Sequence, residues 1–214
     1  MLAGAAGDLE GLEALLSLRE RLRSKDYTRA EALVKDCRET LSPYLDPALA
    51  LGAVKAFSSG ELALEPYLED PHLGAEAWCA LGLRHIQAGE PAKAQEAFEH
   101  SRAADPGHYR ATTNLGNLYL ESGNIEQAVS LYQEALKVNP DFALAHHNLA
   151  VAYRKQGKLD LSVSHLKKGQ RLLMRPGART SSVGRNYPAP MGRFGGRFWL
   201  FVVLAVAAYF ILRR

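Results

Sequence analysis

The chain has 214 residues, 47% of them hydrophobic, and a formal net charge of +3, a composition that supports one or two packed domains and excludes a wholly disordered polymer. The charge is unevenly placed: residues 1–70 carry −5 (8 basic, 13 acidic), residues 71–140 carry −3 (5 basic, 8 acidic) and residues 141–214 carry +11 (13 basic, 2 acidic). Nothing in the basic third interleaves aromatic and basic residues as a nucleic-acid surface would, so nucleic acid is not expected as a partner.

The chain opens MLAGAAGDLEGLEALL, which is acidic and lacks the basic n-region and cleavage site of a secretory signal. Residues 1–74 read as degenerate helical repeats. In LLSLRERLRSKDYTRAEALVKDCRETLSPYL, the stretch SKDYTRA has the form of a turn between two helices, with Ala30 in a small-residue slot and Pro43 near the stop. A second, shortened unit is expected around Leu51, Gly52 and Ser59. Cys37 and Cys79 both fall in apolar helical patterns, and buried thiols are expected rather than a disulfide.

From residue 75 the sequence matches itself at a spacing of 34. Gly82, Gly116 and Ala150 share one register, each preceded by leucine. Gly89, Gly123 and Gly157 share a second, Ala94, Ala128 and Ser162 a third, and Phe98, Tyr132 and Leu166 a fourth; Pro106 and Pro140 close the first two units. A period shared by several residue types marks a stack of equivalent units that pack on their neighbours. Each unit holds two amphipathic stretches of about 13 residues joined at a glycine suited to the left-handed backbone that ends a helix. The third unit departs from the pattern at Ser162, Gly169 and Met174, as terminal repeats often do.

These units resemble tetratricopeptide repeats, over residues 75–174. The fold class expected is therefore all-α, a solenoid of about ten helices with three clear repeats and one or two degenerate ones before them. The resemblance implies a concave groove lined by the first helix of each unit and able to hold an extended peptide. Its groove positions fall here on Glu76, Cys79, Ala80, Leu83 and Gln87, then Arg110, Thr113, Asn114, Asn117 and Glu121, then Leu144, His147, Asn148, Val151 and Lys155. The candidate partner-binding set is Arg110, Thr113, Asn114, Asn117, His147, Asn148 and Val151. Asn114 and Asn148 are 34 apart, and an amide both donates to and accepts from a peptide backbone. The alternative is that both asparagines are common repeat residues that stay solvated. Relatives that grip the carboxylate tail of heat-shock chaperones place two lysines, an arginine and two asparagines in such grooves. Cys79, Leu83, Asn114, Leu144 and Asn148 stand on the matching positions, which argues against that function.

No phosphate-binding glycine loop, CxxC or HExxH occurs. His146 and His147 are adjacent and point about 100° apart on a helix, a poor start for a metal site. Neither cofactor, metal nor catalysis is expected.

Residues 175–197, rich in Gly, Pro, Ser and Arg, read as a flexible basic tether. Residues 198–212 have no charge, Pro or Gly and lie between Arg197 and the pair Arg213 and Arg214. As a helix those 15 residues rise about 22 Å, which flanking arginines can extend by snorkelling. Arg197, Trp199, Tyr209 and Arg213 are placed as interfacial anchors. The alternative, a buried core helix, normally shows a polar stripe, and this one has none. The expectation is a tail-anchored single-pass protein with its repeats on the cytoplasmic side, in a bacterial inner membrane or, alternatively, a mitochondrial outer membrane. It would act as a membrane-tethered adaptor for protein or peptide partners. The other reading is a scaffold subunit of an integral membrane complex, its apolar helix making a specific contact.

Overall fold

The computed structural model describes residues 2–60 and 63–175, and side chains from residue 9 onward. These belong to one compact unit, residues 1–181. Apart from Arg175, the expected tether, the apolar segment 198–212 and its anchor residues Arg197, Trp199, Tyr209 and Arg213 lie outside the described residues. Among the described residues no helix is long and apolar enough to cross a membrane.

The described residues form ten α-helices and one short 3-10 turn. They are α1 (Leu2–Arg23), α2 (Tyr27–Asp36), α3 (Arg38–Leu41), α4 (Pro47–Ser59), α5 (Gly74–Gln87), α6 (Pro91–Ala104), α7 (Tyr109–Glu121), α8 (Ile125–Val138), α9 (Ala143–Lys155) and α10 (Leu159–Leu173). Three hairpins dominate: α5 packs on α6, α7 on α8 and α9 on α10, with α6 against α7 and α8 against α9 joining them. Each buried core is shared between neighbouring helices, around Phe98 and Leu115, then around Tyr132 and Leu149. This is the solenoid arrangement that the 34-residue period dictates.

The turns show why the period has its residues. Gly89, Gly123 and Gly157 have φ of 73°, 85° and 76°, the left-handed backbone that lets a hairpin reverse. At Gly82 and Gly116 the cause is different. A Cβ on Gly82 would stand 2.5 Å from the Phe98 ring, and one on Gly116 would stand 2.7 Å from the Tyr132 ring. The aromatic of the second helix therefore sits against the backbone of the first, and the pairing of glycine with aromatic repeats with the unit. In the third unit, the Ser162 hydroxyl donates to the Ala150 carbonyl at 2.8 Å, so the polar replacement is satisfied. Gly169 is buried close to the Ala143 carbonyl, 3.2 Å from where its Cβ would be.

The N-terminal residues follow the same logic less regularly. α1 and α2 form a hairpin whose turn holds Lys25 at φ 57°, and Ala30 is fully buried after it. The sequence placed a second, shortened unit around Leu51, Gly52 and Ser59. Its first helix is α4, capped by the Asp46 carboxylate accepting from Ala48 N at 2.8 Å and closed by Gly60 at φ 70°. In place of a second helix, the described residues between α4 and α5 make only the 3-10 turn Glu65–Tyr67. Pro66 and Pro71 bracket too few residues for a cooperative helix to form between them.

Candidate functional site

The first helices of the three clear units, α5, α7 and α9, carry the groove positions; on α5 Ala80 and Leu83 are half-buried and Gln87 is exposed, and on α9 Leu144 is half-buried. Glu76 and Cys79 of α5 are buried, as are Arg110, Thr113, Asn114 and Asn117 of α7. On α9, Asn148 and Val151 are half-buried and His147 is exposed, and Glu121 and Lys155 are exposed at the ends of their helices.

At Glu76 and Arg110 the N-terminal hairpin contributes to the burial. The end of α1 and the turn into α2 lie against α5 and the start of α7. The Arg110 guanidinium donates to both Glu76 oxygens, at 2.9 and 3.2 Å, and to the carbonyls of Arg23 and Leu22, at 3.2 and 3.4 Å. The Arg23 carbonyl ends α1 and the Leu22 carbonyl also accepts from Lys25 N, so a side chain 87 residues away helps complete that helix end. The Tyr27 hydroxyl donates to Glu76 at 3.4 Å and the Tyr109 hydroxyl to the Arg23 carbonyl at 3.4 Å. Arg23 forms an ion pair with Asp105 at 2.5 Å, and Arg19 approaches the same carboxylate at 3.4 Å. Asp105 also accepts from Gly107 N at 3.0 Å, which shapes the loop before α7.

Glu76 is the centre of this contact. His108 Nδ1 accepts from Ala111 N at 3.1 Å as the cap of α7, so its Nε2 carries the proton and donates to Glu76 at 2.9 Å. Burial opposes ionisation of Glu76, but the Arg110 charge and the hydrogen bonds from His108 and Arg110 outweigh it and hold the carboxyl at about 2. Burial pushes the Cys79 thiol up to about 12, which makes it an inert packing group. The Lys25 ammonium is lowered by burial and by the nearby Arg110 charge.

Of the residues read as groove-lining, Arg110 is thus spent on Glu76 and the end of α1. The Thr113 hydroxyl donates to the Tyr109 carbonyl at 2.8 Å, and the Asn114 amide reaches Cys79 Sγ at 3.9 Å. Asn117 and Asn148 meet: the Asn148 amide donates to Asn117 Oδ1 at 2.7 Å, and the buried Tyr132 hydroxyl donates to the same oxygen at 2.7 Å. The Glu76–Arg110 pair had one sequence signal, opposite charges 34 residues apart in one register. The partnership with α1 had none, because it joins units of unlike sequence.

His146 and His147 diverge as adjacent helical residues must. His146 is buried, its Nε2 donating to the Pro140 carbonyl at 3.0 Å and its Nδ1 accepting from His165 Nδ1 at 2.9 Å. Burial lowers both members of that pair, which keeps them neutral. Among the described residues no three His, Cys, Asp or Glu side chains gather as ligands to a metal ion would.

A profile described as a TPR repeat matches residues 116–168, and one described as a tetratricopeptide repeat matches residues 85–131. Residues 85–168 are tetratricopeptide repeats. No curated protein sequence matches the chain significantly. Among solved structures, a crystal structure of MamA is 22% identical, with 72% of this chain and 92% of that one covered at a TM-score of 0.46. The second TPR of Spaghetti (RPAP3), bound to the HSP90 peptide SRMEEVD, is 18% identical, with coverages of 55% and 98% and a TM-score of 0.44. At those scores the likenesses transfer no residue role. The assignment of repeats rests on the two profiles, the 34-residue period and the helical hairpins.

Proposed function

We propose that the chain is a non-enzymatic adaptor that holds an extended segment of a partner protein across α7 and α9, and that residues 198–212 keep it at a membrane. The observation that carries the binding reading is the half-buried amide of Asn148. Its nitrogen is fixed on Asn117, while its oxygen accepts no hydrogen bond among the described residues. An acceptor held in place at low entropic cost suits a backbone N–H of an extended segment. On the same helix His147, Val151 and Lys155 keep exposed or half-exposed side chains, so the recognised segment is short and lies toward the C-terminal end of the repeats. The α1–α2 turn already fills the matching space on α5.

The membrane reading is supported by the uncharged stretch 198–212, its flanking arginines and the +11 charge of residues 141–214, which favours an anionic cytoplasmic leaflet. Tethering raises the local concentration of adaptor and cargo, so a weak groove can suffice.

The test is crosslinking pull-down from membranes of the native source with wild type, Asn114→Ala and Asn148→Ala. Loss of one hydrogen bond in a water-poor groove weakens binding by about 1 kcal/mol, roughly fivefold. The proposal expects Asn148→Ala to release a soluble partner without lowering thermal stability, because Asn117 keeps its bond from Tyr132. Undiminished partner recovery with Asn148→Ala would sink the groove reading.

A further inference from the structure

The third hairpin joins two histidines that the groove reading leaves unused. His146 of α9 is 3% exposed, and His165 of α10 is half-buried against it. Their ring centroids are 5.1 Å apart, and the two Nδ1 atoms meet at 2.9 Å. The repeat does not require this pair. The same register holds Trp78 with Ala97 in the first unit and Thr112 with Leu131 in the second. His147 is exposed, so the pairing crosses the hairpin and passes over the sequence neighbour.

His146 is oriented as metal-ligating histidines are. Its Nε2–H donates to the Pro140 carbonyl at 3.0 Å, which fixes the tautomer and leaves the Nδ1 lone pair aimed across the hairpin. His165 Nδ1 donates into that lone pair. When His165 carries its proton on Nε2 instead, a second lone pair faces the first with no change in charge. Burial and the nearby Lys168 charge hold both rings below the usual histidine range, so both are neutral near pH 7, the state a metal requires. A tetrahedral ion with metal–nitrogen bonds of about 2.0–2.1 Å spans two nitrogens about 3.3 Å apart, so the rings need to part by about 0.4 Å. Rotation of the half-buried His165 side chain supplies that. The charges that act on the pair are Asp141 and Lys168. Asp141 favours a cation and pairs with Arg175 at 3.0 Å, whereas Lys168 opposes one but is exposed, on a flexible stem that extends into water.

We propose that His146 Nδ1 and His165 Nδ1 bind a divalent zinc or copper ion, with water in its other positions, and that the ion clamps α10 onto α9. No third His, Cys, Asp or Glu joins them among the described residues, so the site is open and its ion exchangeable. Neutral imidazoles without carboxylates select late first-row metals over magnesium or calcium. The clamp acts at the end of the stack, where α10 is the last described helix and packs on α9. It uses no residue of the Asn148 groove, and the inference does not rest on that reading.

The test follows thermal unfolding of the purified, untagged full-length chain at neutral pH after treatment with a chelator. It compares wild type with His165→Gln, His147→Gln and His85→Gln. Zn2+ should raise the wild-type melting temperature further with each tenfold step in concentration, and EDTA should reverse the rise. His147→Gln and His85→Gln should keep that response, and His165→Gln should lose it. At about pH 5 the wild-type response should vanish, because protons take the lone pairs. A wild type that ignores Zn2+, an equal rise with Mg2+, or a His165→Gln protein that still responds would overturn the proposal. A second readout needs no variant to fold. In imidazole 15N spectra of the wild type, Zn2+ should move the Nδ1 signals of two of the seven histidines. Shifts at Nε2, or shifts spread over other histidines, would overturn it equally.

Discussion

Glu76 keeps its negative charge at 4% exposure because four donors or charges converge on it: Arg110, His108, Tyr27 and, at longer range, Lys25. A buried charge in such a network contributes little by existing and a great deal by not being left alone. The carboxyl titrates at about 2 in the fold against about 4.5 when exposed. A depressed acid stabilises the fold fully above its unfolded value, and that contribution is lost as pH falls from 4.5 toward 2. Its size is about 3 kcal/mol. Urea midpoints measured across that window should fall steeply for wild type. Glu76→Gln should be less stable at pH 7 by about 3–5 kcal/mol, because Arg110 stays buried without its counter-charge, and should lack that part of the acid slope. Equal acid slopes for the two proteins would show that Glu76 does not carry it. Beside it, Lys25 holds the left-handed backbone, φ 57°, that glycine occupies in the later turns. The degenerate unit thus departs from the pattern where its turn meets α5 and α7.

At the scale of the element, the hairpin depends on a ring lying on a helix backbone. Gly116 inside α7 costs about 1 kcal/mol of helix propensity relative to alanine, so propensity alone would favour Gly116→Ala. Packing decides otherwise. The new Cβ would sit 2.7 Å from a Tyr132 ring that is fully buried and tied by its hydroxyl to Asn117. Neither helix can move without disturbing the next unit, and overpacking of this kind costs about 1–3 kcal/mol. Gly116→Ala should therefore lower the melting temperature, and Gly89→Ala should lower it too, for the unrelated reason that its φ is 73°. A melting temperature for Gly116→Ala at or above wild type would mean that the ring can retreat. The third hairpin keeps the geometry with different chemistry: Ser162 bonds to Ala150, and His165 meets His146 beside Tyr153.

At the scale of the whole molecule, the N-terminal helices do more than begin the stack. They take up Glu76 of α5 and Arg110 at the start of α7, so the proposed binding surface begins beyond where the degenerate units end. The strong charge gradient along the chain then puts the basic residues beside the proposed membrane segment. Replacing residues 198–212 with an unrelated apolar helix separates the two membrane readings. A simple anchor tolerates the swap with membrane fractionation and partner recovery unchanged. A specific contact inside a membrane complex loses its membrane partners while the protein still fractionates with membranes.

The repeat period, the hairpins and the glycines of the turns were legible in the sequence because they are local: each depends on residues within one unit and recurs 34 positions later. The shortened N-terminal unit was legible only in its first helix, since residues 63–73 make a 3-10 turn that contains Pro66 and is followed by Pro71. The groove was legible as a set of positions but not as a surface. Arg110 sits at a groove position by register, and its guanidinium is taken up by a helix end some 90 residues earlier. No period connects those residues. The sequence by itself determined which helices form and which faces they pair; tertiary structure alone decided which part of that paired surface water can still reach. Helix formation and pairing follow from short-range backbone geometry and side-chain spacing, whereas exposure depends on every element that packs nearby, including those without a repeat partner.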